Sequence, residues 1–158
     1  MHLLSRGFAT ALTTALFLTA ACSSRGPLSP EEAFGVLQKA YHRNDPVLML
    51  GVLSEGSMRR IRSMTALIGS MSERQREKMA TQFGVSADVL ADLSPANYLG
   101  LQMRLARARN EDALGRALDS GILKSEMNDA GATLTAQNGM RLSFVKEGPY
   151  WKFDMTDW

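Results

Sequence analysis

The chain has 158 residues, 18 basic and 16 acidic side chains, a formal net charge of +2 and 45% hydrophobic residues. Such a chain can bury one ordinary core, which excludes a disordered polyelectrolyte, and its near-balanced charge argues against a nucleic-acid partner. One cysteine and two histidines allow no disulfide and are too few for a zinc ligand set, and no motif calls for a metal or any other cofactor.

The chain starts MHLLSRG, with Arg6 as the only charge, and continues uncharged as FATALTTALFLTAA to Ala21. That run is shorter than the roughly 20 apolar residues a membrane-spanning helix needs, and it matches the apolar core of a secretory signal. Thr19-Ala20-Ala21-Cys22 resembles the lipobox of bacterial lipoproteins, with Thr19 where Leu is usual and Leu18 one place earlier. The resemblance implies that residues 1–21 are a signal peptide and that Cys22 is the lipidation site. It also implies a membrane partner reached through the lipid. Ser23, rather than Asp, after the cysteine implies the periplasmic face of the outer membrane. The other reading is a plain signal with small residues at the cut and a cysteine nearby. Residues 22–28 then form a lipidated tether in which Gly26-Pro27 discourages regular structure.

A single α+β domain is expected over residues 29–158. Ser29-Pro30-Glu31-Glu32 reads as a capped helix start, with Pro30 at the first helical position and Glu32 closing a capping box. Phe34, Leu37 and Tyr41 recur on one face, so this helix should run to about Arg43. Asp45-Pro46 starts a second, short helix, VLMLGVLS, apolar nearly all round and so expected to be buried. Helical periodicity resumes from Ser57 through Met58, Ile61, Thr65 and Ile68, flanked by Met64, Leu67 and Met71. Ser72 with Gln75 opens a further helix ending near Gly84, and Ser86 caps a short piece carrying Val89, Leu90 and Leu93. Ser94-Pro95 starts a helix through Tyr98, Leu101, Leu105 and Ala108, with a pattern extending toward Leu118.

After Gly121 the period changes to two. ILKSEM, ATLTAQ, MRLSFVK and YWKFDM read as strands separated by Asn128-Asp129-Ala130-Gly131, Asn138-Gly139 and Glu147-Gly148-Pro149. Asn138-Gly139 predicts a type I′ hairpin turn. Residues 29–118 are thus mostly helical and 121–156 form a meander of three or four antiparallel strands, one face packed on the first helix.

The stretches SPEEAFGVLQKAYHRND, PVLMLGVLS and GPYWKFDM together resemble the NTF2-like, or cystatin-like, α+β roll of SnoaL-like proteins. The segment 55–118 is longer and more helical than that plan requires. The resemblance implies a cavity between sheet and helices. It also implies functions ranging from isomerases to carriers, so it does not name one.

His42 is the one histidine after the signal and the natural general-base candidate, with Asp45 to orient it; a surface helix end and a helix cap are the plainer roles. Tyr41, Tyr98, Tyr150 and Trp151, with Trp158, are candidates to line a ligand cavity, although aromatics at such spacing also serve as core. The helical methionines, among them Met49, Met64 and Met103, either fill a core or adapt to apolar partners. Residues 22–110 hold 12 basic and 8 acidic side chains, and residues 111–158 hold 5 and 8. The basic half, which contains Arg59, Arg60 and Arg62, either faces anionic lipid or is a solvated surface. The expected function is binding of an apolar small molecule or an envelope protein; the alternative is a SnoaL-like isomerase or hydrolyase using His42 and Asp45.

Overall fold

The structure, a computed structural model, describes residues 26–129 and 131–156. The signal segment 1–21, Cys22 and Trp158 lie outside the described residues. Seven helices are followed by four strands, an α+β arrangement with the classes of element segregated along the chain.

The first helix, α1 (Pro30–His42), starts where its capping residues place it. The Ser29 hydroxyl accepts from the Glu32 N–H at 3.1 Å. The Glu32 carboxylate reaches back one residue further than a capping box, accepting from the Leu28 N–H at 2.7 Å. Asn44, at a φ of 53°, ends α1: the Asp45 N–H returns to the Ala40 carbonyl and the Asn44 N–H to the Tyr41 carbonyl. This left-handed termination satisfies carbonyls the helix would otherwise orphan. Asp45 then caps α2 (Pro46–Val52), accepting from the Leu48 N–H at 2.9 Å. The expectation that α2 is buried all round is corrected. Only Met49 and Val52 are buried and Val47 is exposed, because α2 packs on α1, α6 (Pro95–Ala108) and β4 (Tyr150–Asp154) through one face.

Ser54 caps α3 (Glu55–Gly69), and α4 (Glu73–Phe83) begins at Ser72, whose N–H donates to the Gln75 side chain at 3.0 Å. Gly84, at a φ of 64°, ends α4, and the short α5 (Ala87–Ala91) follows. The sequence pattern extending α6 to Leu118 is corrected as well. The helix stops at Ala108, Asn110 takes a φ of 57°, and Asp112 caps a separate α7 (Ala113–Ser120). The Glu111 N–H returns to the Ala106 carbonyl and the Asn110 N–H to Arg107, the same termination as at Asn44.

The strands β1 (Ile122–Asn128), β2 (Gly131–Ala136), β3 (Arg141–Glu147) and β4 form one antiparallel sheet in the order β1-β2-β3-β4. The β2–β3 turn is not type I′. Gly139 has a φ of 86°, whereas Asn138 does not have a positive φ. The Gly139 N–H bonds the Ala136 carbonyl, and the Ala136 N–H bonds the Met140 carbonyl. That is a three-residue hairpin loop with glycine at its left-handed position. Gly131 is required for a different reason: a Cβ there would sit 2.4 Å from the Phe144 carbonyl oxygen.

The main core lies between the sheet and α1, with α2, α6 and α7 closing it. Leu37, Met49, Leu118, Leu134, Leu142, Phe144 and Phe153 are its largest fully buried members. The Phe144 and Phe153 rings stand 5.5 Å apart at 48°, a tilted pair joining β3 to β4. Each such side chain contributes about 1.5–3 kcal/mol on burial. A second, smaller core of Ile68, Ala80, Leu90, Leu93 and Leu101 joins α3, α4, α5 and α6. The helices α3 to α6 therefore form a lobe with its own apolar centre; α3 and α6 contribute to both cores, and α7 belongs to the main one.

The two sheet edges differ. Along β4 the Trp151 N–H donates to the Pro27 carbonyl at 2.9 Å, the Ser54 N–H donates to the Phe153 carbonyl at 2.8 Å, and Leu53 forms a parallel bridge with Phe153. Chain entry and the α2–α3 connection thus cover that edge. Among the described residues no strand or isolated bridge joins the outer side of β1 along residues 123–127.

Candidate functional site

Helical spacing places Leu99, Gln102, Met103 and Ala106 on one side of α6, facing α1, α7 and the residues after β4. Two adjoining half-open cavities run along this side. The first, about 250 Å³, is lined by Ile61, Met64, Tyr98, Leu99, Gln102 and Met155, with Ser57 and Arg60 at its wall. The second, about 270 Å³, passes between Tyr41, Met49, Met103, Ala106, Asp112 and Leu114. Leu99, Gln102 and Met155 belong to both, so the two form one groove with Gln102 at its middle. A third cavity, about 310 Å³, lies between α2, α5 and α6 and presents Asn44, Asn97 and Arg104.

Polar clusters stand at either end of the groove. At one, the Tyr41 hydroxyl donates to Asp112 Oδ1, which also accepts the Gly115 N–H at 2.8 Å as the cap of α7. The Arg107 guanidinium lies 4.6 Å from the Tyr41 ring centroid, donates to the Tyr41 carbonyl at 2.9 Å and approaches Asp112 Oδ2 at 3.7 Å. Burial, and then the hydrogen bond and charge of Asp112, push the Tyr41 hydroxyl up to about 12. This cluster is a fixed polar wall, with its proton and its carboxylate both committed.

At the other end, Asp154 Oδ1 accepts from the Ser54 hydroxyl at 2.6 Å and the Ser57 hydroxyl at 3.1 Å; Asp154 Oδ2 accepts from Thr156. Burial alone would raise the Asp154 carboxyl, but these hydrogen bonds outweigh it and hold the group below the usual carboxylate range. Ser57 Oγ in turn accepts the Met155 N–H at 2.7 Å. Among the described residues no buried side-chain nitrogen or oxygen lacks a hydrogen-bond partner. The groove therefore presents mainly apolar surface, with the Gln102 side chain at its middle, between two polar clusters that are already hydrogen-bonded.

The structure sorts the candidate residues. Tyr41 and Tyr98 both line the groove, one in each cavity. Tyr98 is raised by burial. Tyr150 and Trp151 lie in neither cavity: the Tyr150 ring packs over Gly26, and Trp151 packs against the main core while its N–H holds Pro27. Both hold the chain's entry, which occupies that end of β4. His42 and Asp45 are not brought together as a pair. His42 is exposed, its Nε2 lying 3.4 Å from Asp119 Oδ1, and Asp45 Oδ1 is held by the Leu48 N–H. Neither lines a cavity of the groove.

Sequence reasoning missed Asp112, Arg107 and Asp154. Asn110-Glu111-Asp112 carries the same stop-and-cap chemistry as Asn44-Asp45, which was the available signal. Asp154 gave none, since its partners lie far away in the chain. Among the described residues there is no group of three or more His, Cys, Asp or Glu side chains able to hold a metal, and no helix long and apolar enough to cross a membrane.

Comparison with family models, curated proteins and solved structures finds no match to the chain.

Proposed function

We propose that this protein is a lipid-anchored envelope lipoprotein, held through Cys22 at the periplasmic face of the outer membrane, whose domain binds an elongated apolar small molecule in the groove along α6. The observation that carries the binding reading is the pair of adjoining cavities sharing Leu99, Gln102 and Met155. Pockets for small ligands are concave, mainly apolar and carry few polar groups, and each cavity alone falls just short of the usual volume range, which a joined groove reaches. The adaptable side chains of Met64, Met103 and Met155 suit a ligand without rigid shape. α1 packed on an antiparallel meander is the arrangement the NTF2-like resemblance implies, and carriers are among the functions that resemblance admits. The lipobox resemblance alone supports the anchoring.

Native mass spectrometry of the full chain carrying Cys22→Ser tests the binding reading. The expected result is a reproducible additional mass that organic solvent releases. A clean unliganded mass, together with no uptake of added fatty acid, overturns it.

A further inference from the structure

We infer that the open edge of β1 joins two copies of this chain, β1 pairing antiparallel with β1 of a second copy to make one continuous sheet. The argument starts from the difference between the sheet edges. The β4 edge is covered by Pro27 and by Leu53-Ser54, whereas the β1 edge has no such cover among the described residues. A register shift between Ile122 and Lys124 bulges the strand at Leu123, and beyond it Lys124 to Met127 form a regular, proline-free edge that is a template for another strand. Leu123 and Met127 on this strand are apolar side chains left 68% and 70% exposed.

The occupant follows from the strand's own sequence. Two-fold antiparallel pairing must place each residue opposite one on the same face. Centred on Ser125, it sets Lys124 opposite Glu126 of the second copy and Glu126 opposite its Lys124, two opposite-charge pairs in all, within the regular run that follows the register shift at Leu123. Shifting the centre by one residue places Lys124 opposite Lys124, or Glu126 opposite Glu126. Opposite charges directly across a pair stabilise it and like charges destabilise it, so one register is favoured. Lys124 Nζ and Glu126 Oε1 are already 2.8 Å apart within one strand, on the face opposite Ser125, whose hydroxyl donates to Glu31 of α1. The cross-strand pairs therefore form on the solvent face, clear of the helices. Chain entry at Pro27 lies outside β4 on the far edge, about 19 Å away across four strand spacings, and does not obstruct the joint.

Analytical ultracentrifugation of the full chain carrying Cys22→Ser tests the inference, with circular dichroism to check each variant's fold. The expected result is a reversible dimer at micromolar concentration. Lys124→Glu should weaken it roughly tenfold or more, because both symmetric pairs become repulsive. Adding Glu126→Lys in the same chain should restore it. Ser125→Cys should give a covalent dimer on mild oxidation. A parent chain that stays monomeric, a dimer indifferent to Lys124→Glu, or a double variant no better than the single one overturns the inference.

Discussion

The Ser54 hydroxyl donates to Asp154 at 2.6 Å across a hundred residues of chain, tying the cap of α3 to the end of β4. Ser54 and Ser57 are both buried, and this carboxylate is the acceptor that satisfies them. A carboxylate beside a helix N-terminus also favours the helix dipole. The contact thus sets where the helical lobe meets the sheet, and with it one wall of the groove.

Asp154→Ala removes the acceptor of the Ser57 hydroxyl, while the Ser54 hydroxyl can still donate to Ser57 Oγ at 2.9 Å, and should cost about 1–3 kcal/mol, read by urea unfolding. Asp154→Asn retains an acceptor and should cost less. The folded carboxyl is held below its unfolded value of about 3.9, so its stabilisation is complete above that pH and is lost as pH falls through the lower folded value. The gap between the parent and Asp154→Asn should accordingly shrink in that acid window and stay constant near neutrality.

Asp112 joins α7 to Tyr41 of α1. Asp112→Ala should cost about 1–2 kcal/mol through loss of the α7 cap. It should also bring the Tyr41 hydroxyl down from about 12 toward the ordinary tyrosine value, seen in a tyrosinate absorbance titration against Tyr41→Phe as reference. Because the folded value lies above the unfolded one, the contribution of Tyr41 is complete below about pH 10 and is lost as pH rises from there to about 12. Tyr41→Phe should remove that alkaline dependence. An unchanged titration in Asp112→Ala would show that the carboxylate does not act on Tyr41.

Gln102 belongs to both cavities and is only partly buried, so a larger side chain there can fill the groove without disturbing either core. Gln102→Trp should fold with unchanged stability, within about 0.5 kcal/mol, and lose at least tenfold in affinity for an apolar probe. The check is fatty-acid uptake by native mass spectrometry. Full uptake by a folded Gln102→Trp would move the ligand site elsewhere.

Cys22→Ser should abolish incorporation of radioactive palmitate and release the protein from the membrane fraction. Membrane association unchanged by that substitution would replace the lipobox reading with a different mode of attachment.

Most of the local structure was legible because its causes are local. Ser29-Pro30, Asp45-Pro46, Ser72 with Gln75 and Ser94-Pro95 each start a helix where the caps place it, and the period-two pattern after Gly121 marks the four strands. The missed stop at Asn110 was local too: asparagine in the left-handed conformation followed by a capping aspartate, seen at Asn44-Asp45, recurs one residue wider at Asn110-Asp112. The turn at Asn138-Gly139 was misassigned because asparagine-glycine serves both hairpin types, and only the loop's hydrogen bonds distinguish them.

The sequence by itself determined the elements other than α7, their order and the segregation of helices from strands, since propensity, capping and periodicity act over a few residues. Only the tertiary structure decided that Tyr41 and Tyr98 share a groove, that Tyr150 and Trp151 instead hold the chain's entry, and that His42 faces Asp119 rather than Asp45. It also decided that Asp154 answers Ser54, and that one sheet edge is covered while the other is open. Each of those depends on which residues distant in sequence meet when both cores close, a matter of packing between elements that no local pattern encodes.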